Sequence, residues 1–218
     1  MKLLNEACFD IKPVVEYIQE GENKVKNYFL TGTYMQSEGL NKNGRIYPKP
    51  ILEKELERYQ SLIGAKRALG ELGHPDSPTI NLPLVSHLIT NLKFEGNNVT
   101  GKAKILETPN GKIVRNFIDN EILLGMSSRG IGSVKQEAAA NYVQDDFRLA
   151  TIDIVAEPSA PEAFVTGILE GKEWLLVDGV WQSYEMEKSK KLLERVTTRD
   201  IENVALLIFE NYLARLRL

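Results

Sequence analysis

Apolar and polar residues alternate with a period of two in several stretches of this chain. Residues 25–36 carry apolar side chains on both faces, and residues 85–106 alternate on either side of a polar turn at Glu95–Asn98. Residues 123–135 and 147–156 follow the same period. Alternation of this kind is typical of β-strands, and two such runs around a turn indicate a hairpin. The pattern therefore predicts a mainly antiparallel β core.

Other stretches have helical spacing. Apolar residues recur every three to four positions in residues 50–63, where Pro50 suits a first helical turn, and in residues 111–122. The tail from about 185 to 218 has the same spacing after a lysine-rich start. The predicted fold class is α+β, mainly β: an antiparallel, barrel-like core flanked by helices, with a helical C-terminal tail.

Proline and glycine mark the predicted domain boundary. The run Pro158–Pro161 breaks the chain, and Trp174–Trp181 reads as a second hairpin around Asp178-Gly179, a favoured tight turn. We predict a core domain at residues 1–170 and an appendage at 171–218 made of this hairpin and the helical tail.

Composition narrows the class of protein. The chain has 218 residues, 43% of them hydrophobic, which suffices for a domain with a real core. A net charge of −3 does not suggest nucleic-acid binding, and no apolar run approaches the ~20 residues that span a bilayer. No apolar signal segment follows Met1, and the single cysteine, Cys8, fits a reducing compartment as a bystander thiol. These features predict a cytoplasmic protein.

The chain has only two histidines, His74 and His87. His74 ends the segment Gly70–His74 just before Pro75, where a strand runs into a turn, so it is either a turn histidine or a base held at the end of a sheet. His87 lies inside a strand pattern, which favours a structural role. Neither has a cysteine nearby, and their spacing is not that of a helical zinc site.

A glycine-bracketed pair of serines is the second unusual feature. Ser127 and Ser128 lie in the apolar segment Gly125–Gly132, and glycine within a strand indicates a bulge or the close approach of another backbone. A serine hydroxyl becomes a nucleophile beside a base. Backbone amides near Arg129 and Gly130, with the Arg129 charge, are candidate oxyanion or substrate-binding groups. The segment does not match a nucleophile elbow.

Asp153 is a charge within an apolar strand pattern. A buried carboxylate needs a partner, and an imidazole that it orients is one choice. A salt bridge to lysine or arginine, or an exposed position, is the alternative. Glu157 is the fallback partner for the imidazole.

Taken together, these segments resemble the prohead (capsid maturation) proteases of T4-type tailed bacteriophages, a family similar in fold to the herpesvirus assemblin proteases. The resemblance covers roughly residues 28–165. Its blocks, in order, are Tyr34–Gln36, Asn41–Lys49, Ile51–Lys54, Ala68–Pro75, Gly125–Gly130 and Pro158–Pro161.

The resemblance implies a Ser/His protease that uses no cofactor. The family's histidine falls on His74 and its serine on Ser127 rather than Ser128. Assemblin-type enzymes use a second histidine, but His87 precedes the serine and does not match by position. Asp153 lies in the strand after the serine, so we predict it as the third catalytic residue.

The resemblance also implies partners and a setting. Such enzymes cleave scaffold and capsid proteins, and themselves, inside the immature phage head in the host cytoplasm, and they self-associate. The implied preference is for cleavage after Glu with Leu or Ile two residues earlier. Leu192–Glu194 and Ile208–Glu210 fit it in the tail, and Ile51–Glu53 and Leu69–Glu71 fit it in the core. No nucleic-acid or membrane partner is expected.

Two other functions remain open from the sequence. One is a catalytically silent structural or scaffold-binding component of the prohead core, which a serine-reactive probe would not label. The other is a metal-dependent hydrolase that uses His74, His87 and Glu71, which a chelator would inhibit.

Overall fold

The computed structural model describes residues 1–8, 10–20, 23–137, 140–156, 173–177, 180–184 and 204–209. Its helices are α1 (Lys49–Gly64) and α2 (Pro109–Asp119), with a further helical segment at 204–209. Its strands, in chain order, are β1 (Lys2–Cys8), β2 (Ile11–Glu20), β3 (Asn23–Gln36), β4 (Arg45–Ile46), β5 (Leu69–Glu71), β6 (Val85–Glu95), β7 (Asn98–Ile105), β8 (Leu124–Gly132), β9 (Val134–Glu137), β10 (Ala140–Val143), β11 (Arg148–Ala156), β12 (Glu173–Val177) and β13 (Val180–Tyr184). No helix among these residues is long and apolar enough to cross a membrane.

The chain divides into two compact units. One is Leu4–Phe164, and the other joins Met1–Leu3 to Val165–Leu218. In the second unit β12 and β13 pair as an antiparallel hairpin, as the sequence predicts, and Lys2 pairs with Glu173. The boundary at residues 170 and 171 stays a prediction. The Pro158–Pro161 break and most of the predicted helical tail lie outside the described residues.

Antiparallel sheets form the unit Leu4–Phe164. One has the strand order β2-β3-β7-β6-β5, and in another β8 lies between β11 and β1. A small sheet, β4-β10-β9, contains the parallel pair β4 and β10. The predicted hairpin at 85–106 is the pair β6 and β7. The mainly β, antiparallel prediction is confirmed, although no sheet among the described strands closes into a barrel.

Helix α1 packs against β6 and β11 as its apolar face predicts. Leu52, Leu56 and Tyr59 are buried in one core with the strands. Glu55 is buried on the same face. Its carboxylate accepts hydrogen bonds from the Arg148 side chain at 2.7 Å and from the Leu149 amide at 2.9 Å. This charged contact fixes the helix to the start of β11.

Two predicted elements end early for local reasons. Helix α2 ends at Asp119 rather than residue 122, because Glu121 adopts a left-handed backbone with φ 58°. Strand β8 ends at Gly132, because Ser133 turns to bond Asp146 through its amide at 2.9 Å and its hydroxyl at 2.5 Å. The predicted strand 123–135 is therefore β8 followed by the start of β9.

Strands β1 and β2 have no counterpart in the sequence prediction. In β1, Leu3 and Leu4 are adjacent and both buried, which breaks the period of two. In β2, Pro13 lacks an amide hydrogen and interrupts the pattern, yet β2 pairs along its length with β3. Pairing with a neighbouring strand, rather than local pattern, forms both elements.

Candidate active site

The end of β5 places His74. Leu72 forms a parallel bridge with Ile154 in β11, and the Gly73 amide donates to the Ile154 carbonyl at 2.8 Å. Gly73 has a φ of 87°, which favours glycine because a Cβ is strained there. The chain thus turns beside β11 and presents His74 next to Asp153.

Pairing between β8 and β11 decides which serine faces the histidine. Ser127 lies opposite Asp153 in the ladder, and Ser128 lies opposite Ile152. Side chains directly opposite each other in an antiparallel pair share a face, and neighbours along a strand alternate. Ser128 therefore points away from His74, and its buried hydroxyl has no hydrogen-bond partner among the described residues.

His74 joins the serine to the aspartate. Its Nε2 lies 2.5 Å from Ser127 Oγ, and its Nδ1 lies 3.0 Å from Asp153 Oδ2. Its side chain is 22% exposed, whereas that of Asp153 is fully buried and Ser127 is 1% exposed. An ionised aspartate only accepts hydrogen bonds, so Nδ1 carries the proton and Nε2 is left to accept one from the serine. The three predicted residues thus lie in the arrangement of a serine–base–orienter chain.

Buried donors hold the Asp153 carboxylate. Arg129 Nε donates to Oδ2 at 2.7 Å, Arg129 Nη2 to Oδ1 at 3.3 Å, and the Glu71 amide to Oδ1 at 3.1 Å. Burial raises the pKa of Asp153, but the hydrogen bond from His74 and the charge of Arg129 outweigh burial and hold this pKa below its ordinary value. Asp153 is therefore an anion at neutral pH.

Arg129 is shared between two carboxylates. Its Nη2 donates to Glu71 Oε2 at 2.8 Å, and its Nη1 donates to the Ser77 carbonyl. Glu71 Oε1 accepts from the Asn81 amide. Burial raises the pKa of Glu71 against the lowering effects of that amide and of Arg129. Glu71, Arg129 and Asp153 have no exposed surface, so they form a closed ionic cluster behind His74.

The Arg129 side chain lies elsewhere than the sequence analysis expects. The expectation is a charge that faces the oxyanion. The guanidinium is fully buried and directed at Asp153 and Glu71. Gly130 faces the other way, where an added Cβ would lie 2.5 Å from the Phe147 ring. The oxyanion role of Arg129 and Gly130 stays a prediction for their backbone amides. Sequence reasoning missed the Glu71–Arg129 pair, although two charges in apolar segments were a visible signal.

His87 lies apart from His74 and is structural in its contacts. Its Nε2 donates to the Ile152 carbonyl at 2.9 Å, and its Nδ1 lies 2.9 Å from Ser86 Oγ. Burial lowers the pKa of His87 to about 4, so the ring is neutral. Among the described residues no three His, Cys, Asp or Glu side chains form a group that could hold a metal ion, and His74, His87 and Glu71 are not such a group.

Glu157 and Cys8 are the two other residues that the sequence analysis considered. Glu157, the fallback partner for His74, lies outside the described residues. Burial, and then the nearby Glu6 carboxylate, raise the pKa of Cys8 to about 12. A thiol with so high a pKa is not a thiolate near neutral pH, so Cys8 lacks the reactive form of a cysteine nucleophile.

Ser127 also contacts strand β1. Ser127 Oγ lies 2.9 Å from the backbone carbonyl oxygen of Glu6 and can donate to it. One hydroxyl has one proton, so it donates either to this carbonyl or to His74 at a given moment. No local sequence pattern predicts this contact, because β1 has no counterpart among the predicted strands.

Three comparisons with known proteins identify similar proteins. A family model described as prohead core protein serine protease matches residues 5–173. The prohead core protein protease of Enterobacteria phage T4 is 37% identical over 144 residues, which cover 63% of this chain and 68% of that protein. The solved structure of the bacteriophage T4 capsid assembly protease, gp21, matches with a TM-score of 0.65 at 29% identity, covering 72% of this chain and 98% of that one.

Proposed function

The chain belongs to the prohead core protein serine protease family, and from this premise we propose that it is a Ser127–His74–Asp153 endopeptidase that cleaves scaffold and capsid proteins during prohead maturation. The family places the chain among phage proteases of capsid assembly. The catalytic residues, the substrates and the cleavage preference are our proposal.

One observation supports the mechanism above all others. The His74 ring lies between a serine hydroxyl at 2.5 Å and a buried carboxylate at 3.0 Å. A serine hydroxyl is a weak nucleophile until a base removes its proton. The imidazole base in turn needs a hydrogen-bond acceptor that holds it in the correct tautomer. Both distances lie within hydrogen-bond reach.

We propose an acyl-enzyme reaction. Ser127 Oγ attacks the substrate carbonyl carbon while His74 Nε2 takes the hydroxyl proton, and Asp153 stabilises the resulting imidazolium. Backbone amides near Arg129 and Gly130 are the proposed donors to the oxyanion. His74 then protonates the leaving amine. Water attacks the acyl group, His74 takes its proton, and that proton returns to Ser127 Oγ.

The proposed substrates follow from the same resemblance. We propose cleavage after Glu with Leu or Ile two residues earlier, in scaffold and capsid proteins inside the immature phage head within the host cytoplasm. Self-association, and self-processing of the 171–218 appendage at Glu194 or Glu210, are parts of the same proposal. Both glutamates lie outside the described residues.

A quenched peptide with Leu two residues before its single Glu tests the proposal, beside a matched peptide with Gln in place of Glu. We expect wild-type protein to cut the first peptide after Glu, and Ser127→Ala to be slower by roughly 10⁴-fold or more. Purified scaffold protein serves as the second substrate. If Ser127→Ala cuts as fast as wild type, the catalytic assignment is wrong. If no preparation cuts either substrate and a fluorophosphonate probe leaves Ser127 unlabelled, the chain is a silent head component.

A further inference from the structure

Strand β1 lies beside β8, the strand that carries the nucleophile. Its Glu6 carbonyl oxygen is 2.9 Å from Ser127 Oγ. A C=O bond is about 1.2 Å long, so the Glu6 carbonyl carbon lies within roughly 4 Å of the attacking oxygen. A peptide carbonyl thus lies beside a serine that already has its base. The hydroxyl is directed at the carbonyl oxygen, and attack needs only a small shift that brings Oγ onto the carbon.

The Glu6 side chain enters a buried polar pocket. Glu6 is 5% exposed, and its pKa is lowered by the Asn41 side chain and by the charge of Arg45. Burial outweighs both effects and raises this pKa to about 7. The pocket also contains Tyr47, whose pKa is raised first by burial and then by Glu6. The groups that act electrostatically on this acidic side chain are thus an amide, a guanidinium and a phenol.

Several polar atoms in this pocket are not hydrogen-bonded. Buried side-chain atoms at four positions have no hydrogen-bond partner among the described residues: Asn5 Oδ1, Glu6 Oε2, Asn41 Nδ2 and Tyr47 OH. Permanent cores seldom leave such atoms unpaired together. A site that must bind and release an acidic side chain cannot fix every polar group in one arrangement.

A second side chain of β1 is fully buried. Leu4 has no exposed surface, and in a strand it shares a face with Glu6, two residues later. Asn5 and Ala7 between and beyond them are only partly buried. Leu3 is buried as well, on the other face of the strand, so the face that carries Glu6 presents an acidic residue at the carbonyl and an apolar residue two positions before it. This is the spacing that the proposed function gives to substrates.

We propose that β1 is bound as an intramolecular substrate and that Ser127 cleaves the chain's own Glu6–Ala7 peptide bond. The inference rests on the proposed function, whose nucleophile and base it uses. It adds a self-cleavage site in the first strand, and it assigns Asn41, Arg45 and Tyr47 to the pocket for the acidic side chain. While β1 stays bound, it also covers the nucleophile, which is 1% exposed.

The step balances without a further reagent except water. Ser127 Oγ bonds to the Glu6 carbonyl carbon, and its proton moves to His74 Nε2. The carbon–nitrogen bond to Ala7 breaks, and His74 gives the proton to the Ala7 nitrogen. Water then hydrolyses the Ser127 ester, which leaves a free carboxylate on Glu6 and an amine on Ala7.

Intact mass and amino-terminal sequencing of the purified full chain test the inference. We expect a new terminus at Ala7 in wild type, no such terminus in Ser127→Ala, and at least a 100-fold slower appearance in Glu6→Gln. Glu57→Gln, which alters an exposed glutamate of α1, should process like wild type. Glu53, exposed on α1 and preceded by Ile51, is an internal control that should stay uncut. The first-order rate should not change over a tenfold range of protein concentration, because the contact lies within one chain.

The quenched peptide, assayed on the same wild-type preparation, separates this inference from the proposed function. Cleavage of the peptide without a terminus at Ala7 overturns the inference alone. Failure of both reactions overturns the proposed function as well. A terminus at Ala7 in Ser127→Ala would come from another protease and also overturns the inference. If wild type and Glu6→Gln formed the Ala7 terminus at equal rates, the assignment of a pocket for the acidic side chain would be wrong.

Discussion

Arg129 holds both carboxylate oxygens of Asp153 from the interior, with Nε 2.7 Å from Oδ2 and Nη2 3.3 Å from Oδ1. The same guanidinium bonds Glu71, so one cation serves two carboxylates. With both carboxylates ionised, the cluster carries one net negative charge. That charge faces the His74 imidazole, which becomes positive in the proposed mechanism.

Glu71→Gln should therefore shift the acid limb of the kcat/KM profile to lower pH. The variant keeps the size of the side chain but removes the net negative charge of the cluster, so the imidazolium is less stabilised. The measurement is kcat/KM against pH on the quenched peptide. An unchanged acid limb would show that Glu71 contributes no charge in the working enzyme.

Arg129→Lys is the matched comparison for Glu71→Gln. Lysine keeps the charge but loses the planar fork that bonds both oxygens of Asp153. We expect a lower kcat with the acid limb in its wild-type place, which distinguishes loss of orientation from loss of charge.

Asp153→Asn should lower kcat by about 10⁴-fold while the protein stays folded. An amide NH₂ can donate to His74 and favour the wrong tautomer, as in other serine proteases with this change. The measurement is kcat on the quenched peptide, with circular dichroism to verify folding. Asp145→Asn alters an exposed carboxylate and should have wild-type activity. Loss of activity in both variants would contradict a specific role for Asp153.

Ser128→Ala should keep protease activity and raise the free energy of unfolding by about 1 kcal/mol. The Ser128 hydroxyl is buried without a partner among the described residues, so its removal relieves a desolvation penalty. Urea unfolding and the quenched peptide measure the two properties. A Ser128→Ala variant as inactive as Ser127→Ala would contradict the assignment of faces in β8.

The free energy of unfolding should fall as the pH drops from about 6.5 to about 4, partly because of His87. Burial lowers the pKa of His87 from 6.5 to about 4, so in this window the unfolded chain binds more protons than the folded one. The shift corresponds to about 3 kcal/mol at most. The contribution of Asp153 to the free energy of unfolding also falls on acidification. The difference between the free energies of wild type and His87→Gln, followed against pH, therefore isolates the contribution of the histidine. Parallel curves for the two proteins would contradict this origin.

Gly70→Ala should destabilise the fold by about 3 kcal/mol. A Cβ at Gly70 would lie 2.1 Å from His87 Nε2 and 2.4 Å from the Ile152 carbonyl, so β5 and β11 would have to separate. Activity should fall as well, because that separation displaces His74 from Asp153. At Gly64 a Cβ meets no atom of the described residues within 4 Å, so Gly64→Ala should leave stability unchanged or up to about 1 kcal/mol higher. Thermal unfolding of both variants provides the measurement.

Local patterns determined much of the fold. The alternation in residues 85–106 and the apolar stripe of residues 50–63 set β6, β7 and α1, because each periodicity matches one backbone geometry. The chain has only two histidines and one glycine-bracketed serine pair, so the sequence could name His74, Ser127 and Asp153 as candidates. The ordered motifs also carried the resemblance to the phage proteases.

Tertiary structure alone decided how those residues meet. The β8–β11 register placed Ser127 on the face of Asp153, and no local pattern specifies the register between two strands that are separate in sequence. The sequence predicts that the Arg129 charge stabilises the oxyanion. Its side chain is instead buried between Asp153 and Glu71, and that position results from the packing of β5, β8 and β11. Strand β1 forms because it pairs with neighbouring strands. Glu6 and Ser127 are 121 residues apart in sequence, so only the folded chain brings them into contact.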